Sequence, residues 1–324
     1  MLYFKSQPKD LTPIKSGVVF TVGSTEVCDI EVEIIDCSSD SVVATKVIRA
    51  VDSAEIDIAP YITGVESMLP KQGDRCALEP LQVGLYKIAV SSDVWREESN
   101  EVRVSCNNYD VQCGSICSTM PLSRTIGAEE CDDICFVVEP QSRVQVIISS
   151  DSGSKSRLDL VSQTGVVQLH IAAAEFSPFA ESLEVAIYVD NNLEQMLIYT
   201  IEPQYRGSVQ VAWIAQSGMP ERYSFPVTVS KSVVAERKTL FKSRAEQSRV
   251  ECKSTKRIVL RSHSLTDDMA ERVSIIVCSP KVWLVLGGEL VEASVLDSET
   301  VCYNFGKAAS CQFTFEYGAE EVVL

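Results

Sequence analysis

Two histidines in 324 residues, His170 and His263, leave little material for proton transfer or metal chemistry near neutral pH. No run approaches the roughly 18 consecutive apolar residues of a membrane-spanning helix, so none is expected. Neither G-x-G-x-x-G nor G-x-x-x-x-G-K-[ST] occurs, and the elements do not alternate as strand and helix, which argues against nucleotide chemistry. Basic side chains are in short supply: 29 Lys and Arg face 45 Asp and Glu, for a formal charge of −16. Such a balance repels phosphate backbones and anionic lipid, so neither nucleic acid nor membrane is an expected partner. Lys5, Lys9, Asp10 and Lys15 interrupt the first twenty residues, which lack the continuous apolar segment of a secretory leader. Synthesis in the cytoplasm without a classical signal peptide is the expectation.

What the chain does contain is enough apolar material to fold. Hydrophobic residues make up 45% and charged residues 23%, ordinary globular usage, and the length calls for about three domains. Twelve cysteines are many for a cytosolic protein: Cys28, Cys37, Cys76, Cys106, Cys113, Cys117, Cys131, Cys135, Cys252, Cys278, Cys302 and Cys311. In the pairs Cys113/Cys117 and Cys131/Cys135 three residues separate the partners, whereas structural zinc sites more often use two. Free, buried thiols are the simplest reading, with disulfides and zinc as alternatives. No metal ligand and no cofactor-binding residue is assigned.

The dominant hydrophobic period is two, the mark of strands with one buried face. Ile30, Val32 and Ile34 alternate with Glu31 and Glu33; Ile56 and Ile58 alternate with Glu55 and Asp57; Tyr86, Ile88 and Val90 continue the pattern. Residues 1–106 are therefore expected to form an immunoglobulin-like β-sandwich. Residues 107–131 break the rhythm with Asn108, Gly114, Pro121, Gly127 and clustered cysteines, and read as a linker or excursion. A second sandwich is expected over 132–230, with strands near 144–148, 167–171, 183–189, 195–201, 209–214 and 223–229, a hairpin at Asp190-Asn191-Asn192, and a surface loop over 149–157. The last stretch, 231–324, is expected to be α+β. Thr266 can cap a helix with Asp267 and Asp268 in its first turn, and Met269, Val273, Ile276 and Val277 would share one face. Gly287-Gly288 marks a hairpin turn, and Cys311, Phe313, Phe315 and Tyr317 a closing strand. The fold class is thus mainly β, with one short helix.

Candidate chemistry is sparse. His170 alternates with Val167, Leu169 and Ile171 and is placed, with Gln168, on the solvent face of its strand, while His263 is placed in a loop. Glu129, Glu130, Asp132 and Asp133 read as a solvated charge run in preference to a calcium site, lacking the glycine-punctuated spacing of a calcium loop. The basic residues Arg237, Lys238, Lys242 and Arg244 are too few to indicate nucleic acid. No catalytic residue is assigned, and the protein is expected not to be an enzyme.

The most distinctive passage is Trp213-Ile214-Ala215-Gln216-Ser217-Gly218-Met219-Pro220-Glu221-Arg222-Tyr223-Ser224-Phe225. By itself it reads as two strands and a turn whose rings fill a core. Trp213, Gly218, Glu221, Tyr223 and Phe225 also resemble a W-x-N-x-x-G-x-x-[DE]-x-[YF]-x-F pattern of β-rich structural proteins from tailed bacteriophages and prophages of gut bacteria, with Ala215 in place of the asparagine. The stretch Ser53 to Ile62 and the passage Cys278-Ser279-Pro280-Lys281-Val282-Trp283 are similar in style to such proteins. The resemblance implies a tail- or baseplate-associated virion component, homo-oligomeric, with protein partners and no catalytic residues. Two alternatives stand beside it: a carbohydrate-binding or adhesive sandwich using Trp95 or Trp283, and, third, a glycan-active hydrolase with two close carboxylates.

Overall fold

The structure, a computed structural model, describes all residues except 63–68, 82, 106–113, 177–178, 204–207, 243–245, 303–308 and 324; for 236–242, 246–252, 301–302 and 319–323 it describes backbone alone. Cys106, Cys113 and Arg244, and the side chains of Arg237, Lys238, Lys242, Cys252 and Cys302, lie outside the described parts. The chain is mainly β, with a first unit built on one seven-stranded sheet, a second in which two sheets face each other, and a third that adds one short helix to a seven-stranded sheet.

The first unit contains β1 (Leu2–Ser6), β2 (Thr12–Pro13), β3 (Val19–Asp36), β4 (Ser41–Asp57), β6 (Gly84–Ser91), β7 (Arg96–Glu98) and β8 (Val102–Ser105), with β5 (Ala77–Pro80) leaving it. Strand β3 carries the unit. Its first half pairs with β1, its second half with β6, and β4 follows its opposite edge throughout. The alternation read from the sequence holds, since Ile30, Val32, Ile34, Ile56 and Ile58 are all buried in one core with Phe20, Tyr86, Ile88 and Val104. Strand β5 belongs elsewhere: although it falls within 1–106, it hydrogen-bonds to the second unit.

The second unit has β9 (Ser123–Gly127), β10 (Cys131–Val137), β11 (Arg143–Ser150), β12 (Lys155–Val161), β13 (Val166–Ala172), β14 (Ser182–Val189) and β15 (Asn192–Glu202). A five-stranded sheet, β12-β11-β14-β15-β9, faces a three-stranded sheet, β10-β13-β5. Between them lie Ile134, Phe136, Val146, Ile148, Leu169, Ile171, Val185, Leu197 and Tyr199. Asp190 and Asn191 both take positive φ at the β14–β15 turn, as that hairpin requires. The loop expected over 149–157 is shorter: only 151–154 turn, and β12 begins at Lys155, because Leu158 and Leu160 partly pack on the core while the polar residues between them face solvent. The stretch read as a linker is not a free tether. It contributes β9, parallel to β15, and an isolated bridge from Ile116 to Phe136.

The third unit comprises β16 (Val209–Ile214), β17 (Pro220–Phe225), β18 (Val227–Lys242), β19 (Glu246–Arg261), α1 (Asp267–Ser274), β20 (Val282–Leu286), β21 (Glu289–Cys302) and β22 (Ala309–Val323) in one sheet of order β17-β16-β20-β21-β22-β19-β18. The expected boundary at 230 moves, because β16 and β17 join this sheet and not the second sandwich. The single strand expected over 223–229 is split at Pro226, which has no amide hydrogen for the ladder. Pro226 alone separates β17 from β18, the two edges of the sheet, so the sheet must curl. Helix α1 and the turn after it fill the hollow, packing Ala270, Val273 and Ile276 against Trp213, Phe225, Phe313 and Phe315. Thr266 caps the helix, its Oγ1 accepting from the Met269 amide at 3.3 Å. Val277 does not share the buried face: residues 275–278 tighten into a 3-10 turn, which leaves it 48% exposed.

Candidate functional site

The polar centre of the molecule lies where the second and third units meet. Every residue of β10 and of β13 is buried. Both faces of the three-stranded sheet are therefore covered: one by its own sandwich, the other by β17 and by the segment 71–73. Where the three units adjoin, Leu11, Leu81 and Val83 of the first pack with Val137 and Val166 of the second and Met219 of the third.

This second cover changes the fate of the polar residues. His170 is buried and not on a solvent face, and its Nδ1 lies 2.9 Å from Asp133 Oδ1. Of the acidic run, only Glu129 is exposed; Glu130, Asp132 and Asp133 are buried and bonded. Asp133 accepts from Arg222 Nε at 3.0 Å and Nη2 at 2.8 Å, and from the Lys71 amide at 3.0 Å. Arg222 also donates to Gln210 Oε1 at 3.0 Å and to the Lys71 carbonyl, and Gln210 Nε2 donates to the Cys131 carbonyl at 2.7 Å. Burial pushes the Asp133 carboxyl up, but the His170 hydrogen bond and the Arg222 charge outweigh it and hold the group below the usual aspartate range.

A second set runs parallel to it. Asp132 Oδ2 accepts from Arg124 Nη1 at 2.8 Å and from the Tyr199 hydroxyl at 2.9 Å. Burial and the Asp132 charge keep that phenol protonated, far above its ordinary pKa. Glu221, the acid of the distinctive passage, accepts from the hydroxyls of Ser118 at 2.8 Å and Thr119 at 2.7 Å and from the Thr119 amide. Helix residue Arg272 donates to the Thr119 carbonyl. The stretch 118–124 is thus stitched to β17 and α1. The rest of the passage is structural too: Trp213 is fully buried, Gly218 turns at φ +82°, and Tyr223 and Phe225 meet edge to face at 4.8 Å.

Chemically, the His170–Asp133 pair has the form of an oriented base, but its Nε2 is directed at the Gly73 carbonyl, 3.5 Å away, inside the interface. The pair locks the interface. Beside it opens a cleft of about 350 Å³, lined by Glu130, Glu202, Tyr223, Ser224, His263 and Asp268 among others. Burial raises the Glu130 carboxyl, only partly offset by hydrogen bonds from Ser224 and the Gly127 amide. Asp268 is held by Arg272 at 2.9 Å. His263 is exposed at the rim, in the loop expected for it.

Cys28, Cys37, Cys76, Cys131 and Cys278 form no disulfide, and burial pushes Cys76 and Cys131 each up to about 12. Among the described residues no group of three or more His, Cys, Asp or Glu converges as a metal site. Of the two tryptophans read as sugar platforms, Trp283 is buried against Ala212 and Ile214, while Trp95 is 51% exposed beside Val94. Sequence reasoning missed Arg124, Asp132, Asp133, Tyr199 and Arg222 as a cluster. The one available signal was the acidic knot itself, placed at the start of an otherwise apolar strand.

No family model matches the chain, and no curated protein matches it. Among solved structures, it is similar to a fragment of the ICAM-5 D1–D4 ectodomain at 11% identity over 79% of this chain and 75% of that one, with a TM-score of 0.25. A superposition that loose carries no argument about fold or function.

Proposed function

We propose that the chain is a non-enzymatic structural or assembly protein that associates with further copies of itself, as a tail- or baseplate-associated component of a phage or prophage virion. The observation that carries the assembly reading is the edge strand β18. Among the described residues its strand partner is β19 alone, at the end of the sheet, and it exposes Val227, Val229 and Val233 at 39, 44 and 66%. Monomeric proteins shorten, cover or twist away such edges, because an open ladder recruits another chain. The buried ionic lock supports the same reading, since it holds the second and third units as one body. The virion assignment comes from the resemblance of Trp213 to Phe225 and its companion passages. Negative-stain microscopy of the concentrated protein tests it: rings, tubes or sheets are expected, and dispersed single particles at every concentration would refute it. Tail-assembly genes beside this one would support the virion assignment, and polysaccharide-utilisation genes would remove it.

A second reading, an adhesive or glycan-binding sandwich, is favoured by one observation. Trp95 and Val94, 51 and 80% exposed at the β6–β7 turn, offer an apolar ring surface on which a sugar can stack. Glycan-array binding that disappears in Trp95→Ala would establish it at the expense of the first.

A further inference from the structure

The outward face of the five-stranded sheet in the second unit is apolar over its middle, where an open sheet is ordinarily polar. Alternation sends one side of each strand into the core and leaves the other outside, and the strand registers set the outward residues in rows. The central row is Arg157, Ile147, Ala186 and Met196, running from β12 across β11 and β14 to β15. To one side of it lies the row Asp159, Gln145, Tyr188 and Leu193, and to the other the row Lys155, Ser149, Glu184 and Ile198. Ile147, Ala186, Tyr188, Leu193, Met196 and Ile198 are therefore one continuous patch over three strands. None of the six is buried, and Leu193, Met196 and Ile198 are 50, 45 and 46% exposed. A contiguous apolar surface of this kind marks a contact with another macromolecule.

We infer that this face packs on the same face of a second copy, sheet against sheet, about a two-fold axis that crosses the strands at Ala186. The contact rests on the assembly reading above and gives it an isologous surface. The rows themselves select a second copy as the occupant. An axis at Ala186 reverses strand direction and lays the row of Tyr188 over the row of Glu184, so Asp159 faces Lys155 of the second copy, Tyr188 faces its Glu184, Gln145 its Ser149 and Leu193 its Ile198. Ile147 and Met196 meet their own counterparts, and Ala186, the smallest side chain of the patch, sits on the axis. Arg157 ends the central row at the rim, held by Asp159 of its own chain at 3.0 Å. Charge points the same way. A chain of −16 repels its own copies over much of its surface, but the outward positions of β11, β12 and β14 are nearly balanced, with Arg143, Lys155 and Arg157 against Asp159 and Glu184. Five strands about 4.8 Å apart and about six residues long span roughly 24 Å by 20 Å, and the relief of the side chains brings the face to the order of the ~800 Å² that each partner contributes to a stable interface.

Sedimentation velocity of the full chain across a concentration range tests this with three surface variants. Met196→Asp should weaken self-association by about tenfold or more, and Ala186→Arg, which sets two cations together on the axis, by about a hundredfold or more, both with unchanged circular dichroism. Val47→Asp removes an equally exposed apolar side chain from β4 of the first unit and should leave association as in wild type. If Met196→Asp and Ala186→Arg associate as wild type does, this face is not the contact, while the assembly reading stands. If Val47→Asp weakens association as much as they do, the effect is not specific to the face and the inference is overturned. If wild type stays monomeric at every concentration, the assembly reading itself falls.

Discussion

Replacing Arg222 by Met should unlock the second unit from the third. Arg222 and Asp133 are almost completely inaccessible, and the guanidinium makes two hydrogen bonds to one carboxylate oxygen, one to Gln210 and one to the Lys71 carbonyl. In Arg222→Met the Asp133 carboxylate keeps, among the described residues, the His170 ring, the Lys71 amide and a long contact to Gln168, and two further acceptors lose their donor. Removing one partner of a buried ion pair costs about 3–5 kcal/mol. Asp133→Asn should cost somewhat less, and the double variant should fall short of the sum by about 2 kcal/mol, because the two side chains act on each other. Acid dependence gives an independent check. The Asp133 carboxyl is held below its ordinary value, so its stabilisation is complete above the ordinary aspartate range near 3.9 and disappears as pH falls through the folded value. That loss should be smaller in Arg222→Met. Urea titration followed by circular dichroism, with amide exchange read on β10 and β13, measures both. A destabilisation below about 1 kcal/mol, or strict additivity in the cycle, would refute the lock.

Glu130→Gln should be neutral or stabilising near pH 7, because burial raises that carboxyl; the gain should vanish as pH falls from the raised folded value to the ordinary glutamate range, which thermal melts across pH will show. Alkylation at pH 8 followed by mass spectrometry should label exposed Cys278 in the native protein and leave Cys76 and Cys131 unmodified until urea is added; fast labelling of Cys131 would contradict its burial. Thr266→Ala should cost about 1 kcal/mol by removing the cap of α1, and Thr266→Ser should recover most of it in the same denaturation assay.

The fold was legible wherever a strand had one wet face. Ile30, Val32 and Ile34, or Phe313 and Phe315, alternate with polar neighbours because one side of each strand meets solvent, and their burial follows the pattern residue by residue. The β14–β15 turn at Asp190-Asn191 and the cap at Thr266 were legible for local reasons, left-handed backbone and an orphan amide. The polar lock was not, because alternation equates a polar face with a wet one. On β13 the Gln168 and His170 face is covered by another unit, and nothing within 131–137 or 166–172 announces that β17 will lie across them. Arg222 could be matched to Asp133 only by knowing a contact 89 residues apart along the chain. The unit boundaries failed for the same reason: β5 and the β16–β17 hairpin have ordinary strand patterns, and only partner choice assigns them.

Light scattering coupled to size-exclusion chromatography tests the proposed self-association most directly, since among the described residues the end strand β18 pairs with β19 alone. At high concentration the protein should elute with a mass several times the 35.6 kDa of one chain and shift toward that value on dilution. A mass of one chain across the whole range would contradict it.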